Sequence, residues 1–93
     1  MEIPQIVSVS DREIVVNTTL QRSDIEKLWM PIKKRLKKRV TMTYVYRDGA
    51  TVLQFLVDFR SLKEEHLLLN EASQAMSEKL ENYLFSYHNE QAI

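Results

Sequence analysis

The segment from Val40 to Val57, VTMTYVYRDGATVLQFLV, decides the fold that the sequence predicts. Asp48-Gly49 holds the only glycine of the chain and separates two runs in which apolar and polar residues alternate. A type I′ turn needs positive φ at both central residues, and Asp-Gly strongly indicates such a hairpin. With this tip the register is fixed, and we expect two sets of pairs. The apolar face pairs Tyr46 with Thr51, Tyr44 with Leu53, Met42 with Phe55 and Val40 with Val57, and the mixed face pairs Val45 with Val52, Thr43 with Gln54 and Thr41 with Leu56.

A second, weaker hairpin is predicted at the N-terminus, with strands from Ile3 to Val9 and from Glu13 to Leu20. The turn residues are less specific than Asp-Gly, so a loop one residue longer than Asp11-Arg12 is an alternative. With the two-residue loop, the apolar residues again share a face. The expected pairs are Val9 with Ile14, Val7 with Val16 and Ile3 with Leu20.

An amphipathic helix is predicted between the hairpins. Ser23-Asp24-Ile25-Glu26 matches the capping box, in which two side chains satisfy free amide groups at a helix start. Pro31 lies opposite the apolar stripe and costs roughly 3 kcal/mol inside a helix, so we expect a kink or a restart near Met30. The stripe at helical spacing comprises Ile25, Leu28, Trp29, Ile32, Leu36 and Val40.

A second helical region is predicted from a cap at Ser61-Leu62-Lys63-Glu64 to the neighbourhood of His88. Leu67 and Leu68 leave its apolar stripe, so a break near Asn70 is an alternative, with His66 to Leu69 as loop or strand. The stripe contains Leu69, Ala72, Met76, Leu80, Tyr83, Leu84 and Tyr87.

The order ββαββα predicts an α+β two-layer sandwich, a four-stranded antiparallel sheet with both helices on one face. Ninety-three residues, 44% of them hydrophobic and 28% charged, predict one folded domain spanning residues 1–93. The outer face of that sheet would carry an apolar patch, and such patches often bind other proteins. Its apolar members would be Ile6, Val15, Val45, Val52 and Leu56.

The basic segment Lys33-Lys34-Arg35-Leu36-Lys37-Lys38-Arg39 holds six cations in seven residues of a chain whose net charge is zero. Through Arg60 there are 11 Lys/Arg and 7 Asp/Glu, and from Ser61 onward 2 Lys and 6 Glu, so the two parts carry excesses of +4 and −4. An acidic helix could therefore meet the basic one within the fold or between two copies. The expected exposed face, Lys33, Lys34, Lys37 and Lys38, has three interpretations: a solvated helix face, a contact for an acidic protein, or a phosphate contact for nucleic acid.

Motifs for catalysis or cofactor binding are scarce. The chain has no cysteine and only two histidines, His66 and His88, so we expect no catalytic site, no cofactor and no metal. Tyrosines could line a ligand pocket, but they are more typical of core residues whose hydroxyl groups reach the surface. These are Tyr44, Tyr46, Tyr83 and Tyr87.

These features favour a small non-enzymatic interaction or regulatory protein that binds a protein partner and self-associates as a homodimer, through its sheet face or its last helix. The alternative function is nucleic-acid binding by the basic face, and an enzyme or small-ligand binder that uses the tyrosines and His66 is a third hypothesis. We expect a cytoplasmic protein that does not bind membranes, because no apolar run is long enough to span one and no secretion signal is present. The candidate apolar contacts are Met30, Val45, Val52, Leu56 and Phe85.

Overall fold

The computed structural model describes residues 3–91, with side chains described for residues 3–86. The elements are, in chain order, β1 Ile6–Val9, β2 Glu13–Val16, α1 Arg22–Arg35, β3 Val40–Arg47, β4 Ala50–Val57, a 3-10 helix Phe59–Glu64 and α2 Glu65–Gln91. The four strands of this described part form one antiparallel sheet in the order β1-β2-β4-β3. One hydrophobic core joins both helices to the inner face of the sheet. The predicted α+β two-layer fold is therefore confirmed.

The β3–β4 hairpin has the predicted register at all seven pairs, from Val40–Val57 to Tyr46–Thr51. Asp48 and Gly49 have φ values of 53° and 80°, as a type I′ turn requires. Local turn chemistry and alternation agree here, so the hairpin follows from sequence alone.

The β1–β2 hairpin differs from the prediction beyond its first pair. Val9 lies opposite Ile14 as expected, but a bulge between Ile6 and Ser8 places Ile6, and not Val7, opposite Val16. A bulge inserts one extra residue into a strand and so shifts every pair that follows. Ile6 packs against the core, so its predicted place on the outer face is wrong.

Both strands of that hairpin are also shorter than predicted. Leu20 is buried but lies beyond β2, and its amide donates to the Thr51 hydroxyl at 2.9 Å. Leu20 is thus bonded to the Thr51 side chain of β4, and the predicted strand pair between Ile3 and Leu20 does not form.

Helix α1 runs without interruption through Pro31, so of the two predicted alternatives, a kink or a restart near Met30, the restart does not occur. Ile25 and Trp29 before the proline and Ile32 after it are all buried in the same core. The predicted cap at Ser23 is also wrong, because the N-cap is Gln21, two residues earlier, and it makes no side-chain capping bond. The helix ends at Arg35. Val40, the last residue of the predicted stripe, belongs to β3 and still reaches the core.

Helix α2 is continuous, so the alternative of a break near Asn70 is excluded and the stretch from His66 to Leu69 is helical. The 3-10 helix directly precedes α2. Asp58, and not the predicted Ser61, caps the 3-10 helix by accepting the Arg60 amide at 2.9 Å. Leu68 is buried together with five residues of the predicted stripe, while Leu67 is exposed. The five are Leu69, Ala72, Met76, Leu80 and Leu84. The Ser73 hydroxyl donates to the Ser10 carbonyl at 2.6 Å and ties α2 to the loop of the first hairpin.

Candidate functional site

Strand β3 forms a free edge of the sheet, because its only neighbour in the strand order is β4. The Asp58 amide donates to the Arg39 carbonyl at 2.8 Å just before β3, and Arg47 pairs with Ala50 across the two-residue turn. In an antiparallel pair the backbone groups of alternate residues point to the same side. The odd-numbered residues therefore bond to β4, and the N–H and C=O groups of Met42 and Tyr44 point away from the sheet.

This edge lacks the features by which strand edges are commonly protected. Proline, lysine, bulges and short length all hinder the addition of another strand. The eight residues of β3, VTMTYVYR, contain neither proline nor lysine, and their register with β4 has no bulge. The opposite edge, β1, has four residues and a bulge. The edge of β3 is therefore the better template for backbone pairing.

A groove of about 570 Å³ lies between α1 and β3 and opens onto the free edge. Trp29 forms part of its wall although the side chain is only 6% exposed, and its ring packs against Phe55 with centroids 5.7 Å apart. Met30, the candidate contact predicted on the polar side of α1, also lines the groove and is 62% exposed. The remaining lining residues are Ser23, Glu26, Lys27, Lys33, Thr41, Met42 and Tyr44.

The charge of the groove is positive. Glu26 is the only anion in its lining, and it accepts a hydrogen bond from the Arg22 Nε at 3.0 Å. That hydrogen bond raises the pKa of Arg22, and the negative charge of Glu26 adds to the effect. Lys27 and Lys33 have no ion-pair partner among the residues whose side chains are described. Two cations are thus available to a bound molecule.

The basic segment does not form the continuous helical face that the sequence predicted. Lys37 and Lys38 follow the end of α1 with φ values of 55° and 61°, in the left-handed region. The Lys38 amide donates to the Lys33 carbonyl at 3.0 Å and the Lys37 amide to the Lys34 carbonyl at 3.1 Å. This is the Schellman pattern, which turns the chain out of the helix. Lys33, within α1, lines the groove. Lys37 and Lys38 lie in the turn that leads into β3 and therefore do not share a helical face with it.

The arginines of the segment have partners inside the fold. Arg39 forms an ion pair with Glu64, and the Arg35 Nε lies 3.7 Å from a carboxylate oxygen of Glu71. Arg12 of the first hairpin also meets the acidic part of the chain, at Glu65. The basic and acidic parts of the chain thus form ion pairs within one molecule through their arginines and glutamates. Lys33, Lys34, Lys37 and Lys38 have no ion-pair partner among residues 3–86, whose side chains are described.

The other apolar candidates lie apart from the groove. Val45 and Leu56 are exposed on the outer face, Leu56 to 58%, whereas Val52 between its neighbours Val15 and Val45 is only 4% exposed. Phe85 is 67% exposed and lines a separate cavity of about 350 Å³ with Ile3 and residues of the N-terminal segment. These residues do not form one surface with Met30.

The tyrosines do not converge on one pocket. Tyr44 lines the groove, the Tyr46 hydroxyl donates to the Leu20 carbonyl at 2.6 Å, and the Tyr83 hydroxyl donates to Asp24 at 2.8 Å. The last bond links α2 to α1. The side chain of Tyr87 lies outside the described residues.

The histidines give no metal centre within the described part of the chain. The His66 Nδ1 lies 3.9 Å from an Asp11 carboxylate oxygen on the surface, and the side chain of His88 lies outside that part. No three His, Cys, Asp or Glu residues that could hold a metal ion come together among the described residues. A lowered pKa occurs at Asp58, where the Arg60 amide and then its guanidinium hydrogen-bond to the carboxylate.

Within residues 3–91, no helix is both long enough and apolar enough to cross a membrane. No protein-family model, curated protein or solved structure matches this chain.

Sequence reasoning found Met30 and Lys33 but missed the groove and the free edge. Trp29 was assigned to the core, which is correct, yet one side of it also forms the groove wall. The unbroken alternation of β3 was a signal for a regular strand. Its position at the edge depends on β2 pairing with β4, and that pairing was not predicted from the sequence.

Proposed function

We propose that this protein is a small non-enzymatic interaction module that binds another polypeptide by strand addition to the free edge of β3. The observation that supports this function is the eight-residue, bulge-free edge with the groove beside it. In strand addition, backbone hydrogen bonds supply affinity, and pockets for alternate side chains supply specificity. The edge and the groove offer both.

The decisive experiment compares Met42→Pro with Met42→Ala in affinity purification from native lysate. Both variants lose the same partly buried side chain, but only proline also removes the outward amide donor. We expect Met42→Ala to retain the protein that the wild type retains, in smaller amount because Met42 lines the groove, and Met42→Pro to lose it. Equal retention by both variants would contradict strand addition.

A second variant covers the case in which Met42→Pro does not fold. Thr43→Lys places a cation in the middle of the edge, where natural edges carry lysine to hinder pairing. Thr19→Lys makes the same change at an exposed site outside the strands and serves as its control. Circular dichroism confirms that each variant is folded before binding is measured.

Self-association is a second form of the proposed function, and the exposed Val45 and Leu56 on the uncovered outer face favour it. Sedimentation of the wild type over a range of concentrations tests it directly. A monomer at all concentrations would contradict the homodimer. Binding to a different polypeptide would then be the remaining form of the proposed function.

Nucleic-acid binding is the alternative function. The observation in its favour is that Lys33, Lys34, Lys37 and Lys38 have no ion-pair partner within the part of the chain whose side chains the structure describes. Each phosphate contact releases counterions, so such binding would weaken steeply with salt. Nuclease treatment in the same purification separates the two functions. Loss of the retained material after nuclease would support the alternative.

A further inference from the structure

We propose that the polypeptide bound at β3 is an extended acidic segment with the pattern acidic-x-apolar-x-acidic. This inference rests on the proposed strand addition and specifies its partner. An added strand lies about 4.8 Å from β3, and its side chains alternate between the two faces of the sheet. Every second side chain would therefore point to the helix side, into the groove.

The groove presents cationic, apolar and cationic groups in that order along α1. Lys27, Met30 and Lys33 follow each other at three-residue intervals, so they lie on one side of the helix. The two lysines are about 9 Å apart along the helix axis, at 1.5 Å per residue. Three alternate residues of an extended strand span about 13 Å, and the flexible lysine side chains can bridge the difference.

The central residue of the pattern is apolar because of what lies between the lysines. Trp29, Met30 and Met42 all line the groove, and an apolar side chain there would cover surface that is now open to water. Carboxylates at the two outer positions would meet Lys27 and Lys33, since Glu26 is already bonded to Arg22.

A second copy of this chain does not fit the same site. Strand β3, VTMTYVYR, contains no carboxylate, so pairing β3 with β3 of another copy would leave the lysines unmatched. Such pairing would also bring the lysines of two α1 helices toward each other. No two Asp or Glu residues of the chain are four positions apart, so no other segment has the pattern either. Charge complementarity thus selects a different polypeptide.

The test uses capped peptides and the fluorescence of Trp29, the only tryptophan of the chain, which lines the groove. The acidic peptide contains Glu-Thr-Leu-Thr-Glu, and the neutral peptide replaces both glutamates with glutamine. Two exposed ion pairs contribute about fivefold in affinity, so we expect the acidic peptide to bind about fivefold more tightly at low salt.

Two variants with the same change in charge identify the lysines responsible. Lys27→Gln with Lys33→Gln should remove the preference for the acidic peptide. Lys37→Gln with Lys38→Gln should keep it, because those lysines lie in the turn and do not line the groove.

The possible results distinguish a failure of the acidic peptide pattern from a failure of the proposed strand addition. Equal binding of both peptides, or a preference that survives in the Lys27/Lys33 variant, overturns the acidic pattern while strand addition stands. A third outcome is that neither peptide binds, while Met42→Pro loses the partner protein that Met42→Ala retains. In that case the acidic pattern is overturned and strand addition stands. If those two variants retain the same protein, strand addition itself is overturned.

Discussion

At the residue scale, the turn after α1 uses left-handed backbone at two lysines. Such a conformation costs an L-residue roughly 1–2 kcal/mol, and glycine is the usual residue at the first of these positions. Lys37 and Lys38 adopt it with φ values of 55° and 61° because the Schellman bonds and the start of β3 at Val40 require the chain to reverse there. The chain thus keeps two cations where a glycine would be less strained.

Lys37→Gly should therefore stabilise the protein. We expect the free energy of unfolding to rise by about 0.5–1 kcal/mol, the relief of strain less the extra freedom of glycine in the unfolded chain. Urea unfolding followed by circular dichroism measures it. The control, Lys27→Gly within α1, should lose about 0.7 kcal/mol by helix propensity. A loss of stability in Lys37→Gly would contradict the strain.

At the element scale, the segment between β2 and α1 is held by side chains of the β3–β4 hairpin. Thr51 is fully buried, accepts the Leu20 amide at 2.9 Å and donates to the Thr18 carbonyl at 2.7 Å. The Tyr46 hydroxyl donates to the Leu20 carbonyl. These bonds fix where α1 begins, which explains why the capping box at Ser23 did not decide its start.

Thr51→Val keeps the shape of the side chain and removes the hydroxyl. The Leu20 amide and the Thr18 carbonyl would lose their partner, at a cost of about 1–3 kcal/mol in the free energy of unfolding. Thr43→Val, on the exposed edge, is the matched control and should change it by less than about 0.5 kcal/mol. Denaturant unfolding of both variants provides the measurement, and equal effects would contradict this role of Thr51.

At the scale of the whole molecule, opposite charges and the hydrophobic core both join α1 to α2, but with unequal strength. The Arg35–Glu71 pair is exposed, and exposed ion pairs contribute only about 0–1 kcal/mol. Met76 of α2 is fully buried in the core that it shares with Ile25 and Ile32 of α1. Packing should therefore dominate the docking of the helices.

Glu71→Gln should change the free energy of unfolding by at most about 0.5 kcal/mol, whereas Met76→Ala should lower it by about 2–5 kcal/mol. Urea unfolding at low and at high salt gives both values, and only the smaller one should depend on salt. A loss in Glu71→Gln as large as that in Met76→Ala would contradict the dominance of packing in docking the helices.

The β3–β4 register, the two amphipathic helices and the α+β class follow from local sequence, because turn chemistry and hydrophobic periodicity are local properties. Three features could not be predicted from local sequence: the bulge in β1, the continuity of the helices through Pro31 and Asn70, and the position of β3 at an edge. These depend on contacts between residues far apart in the chain, such as β2 with β4. The groove belongs to the second group: its residues are ordinary in sequence, and only the packing of α1 beside a free strand brings them together.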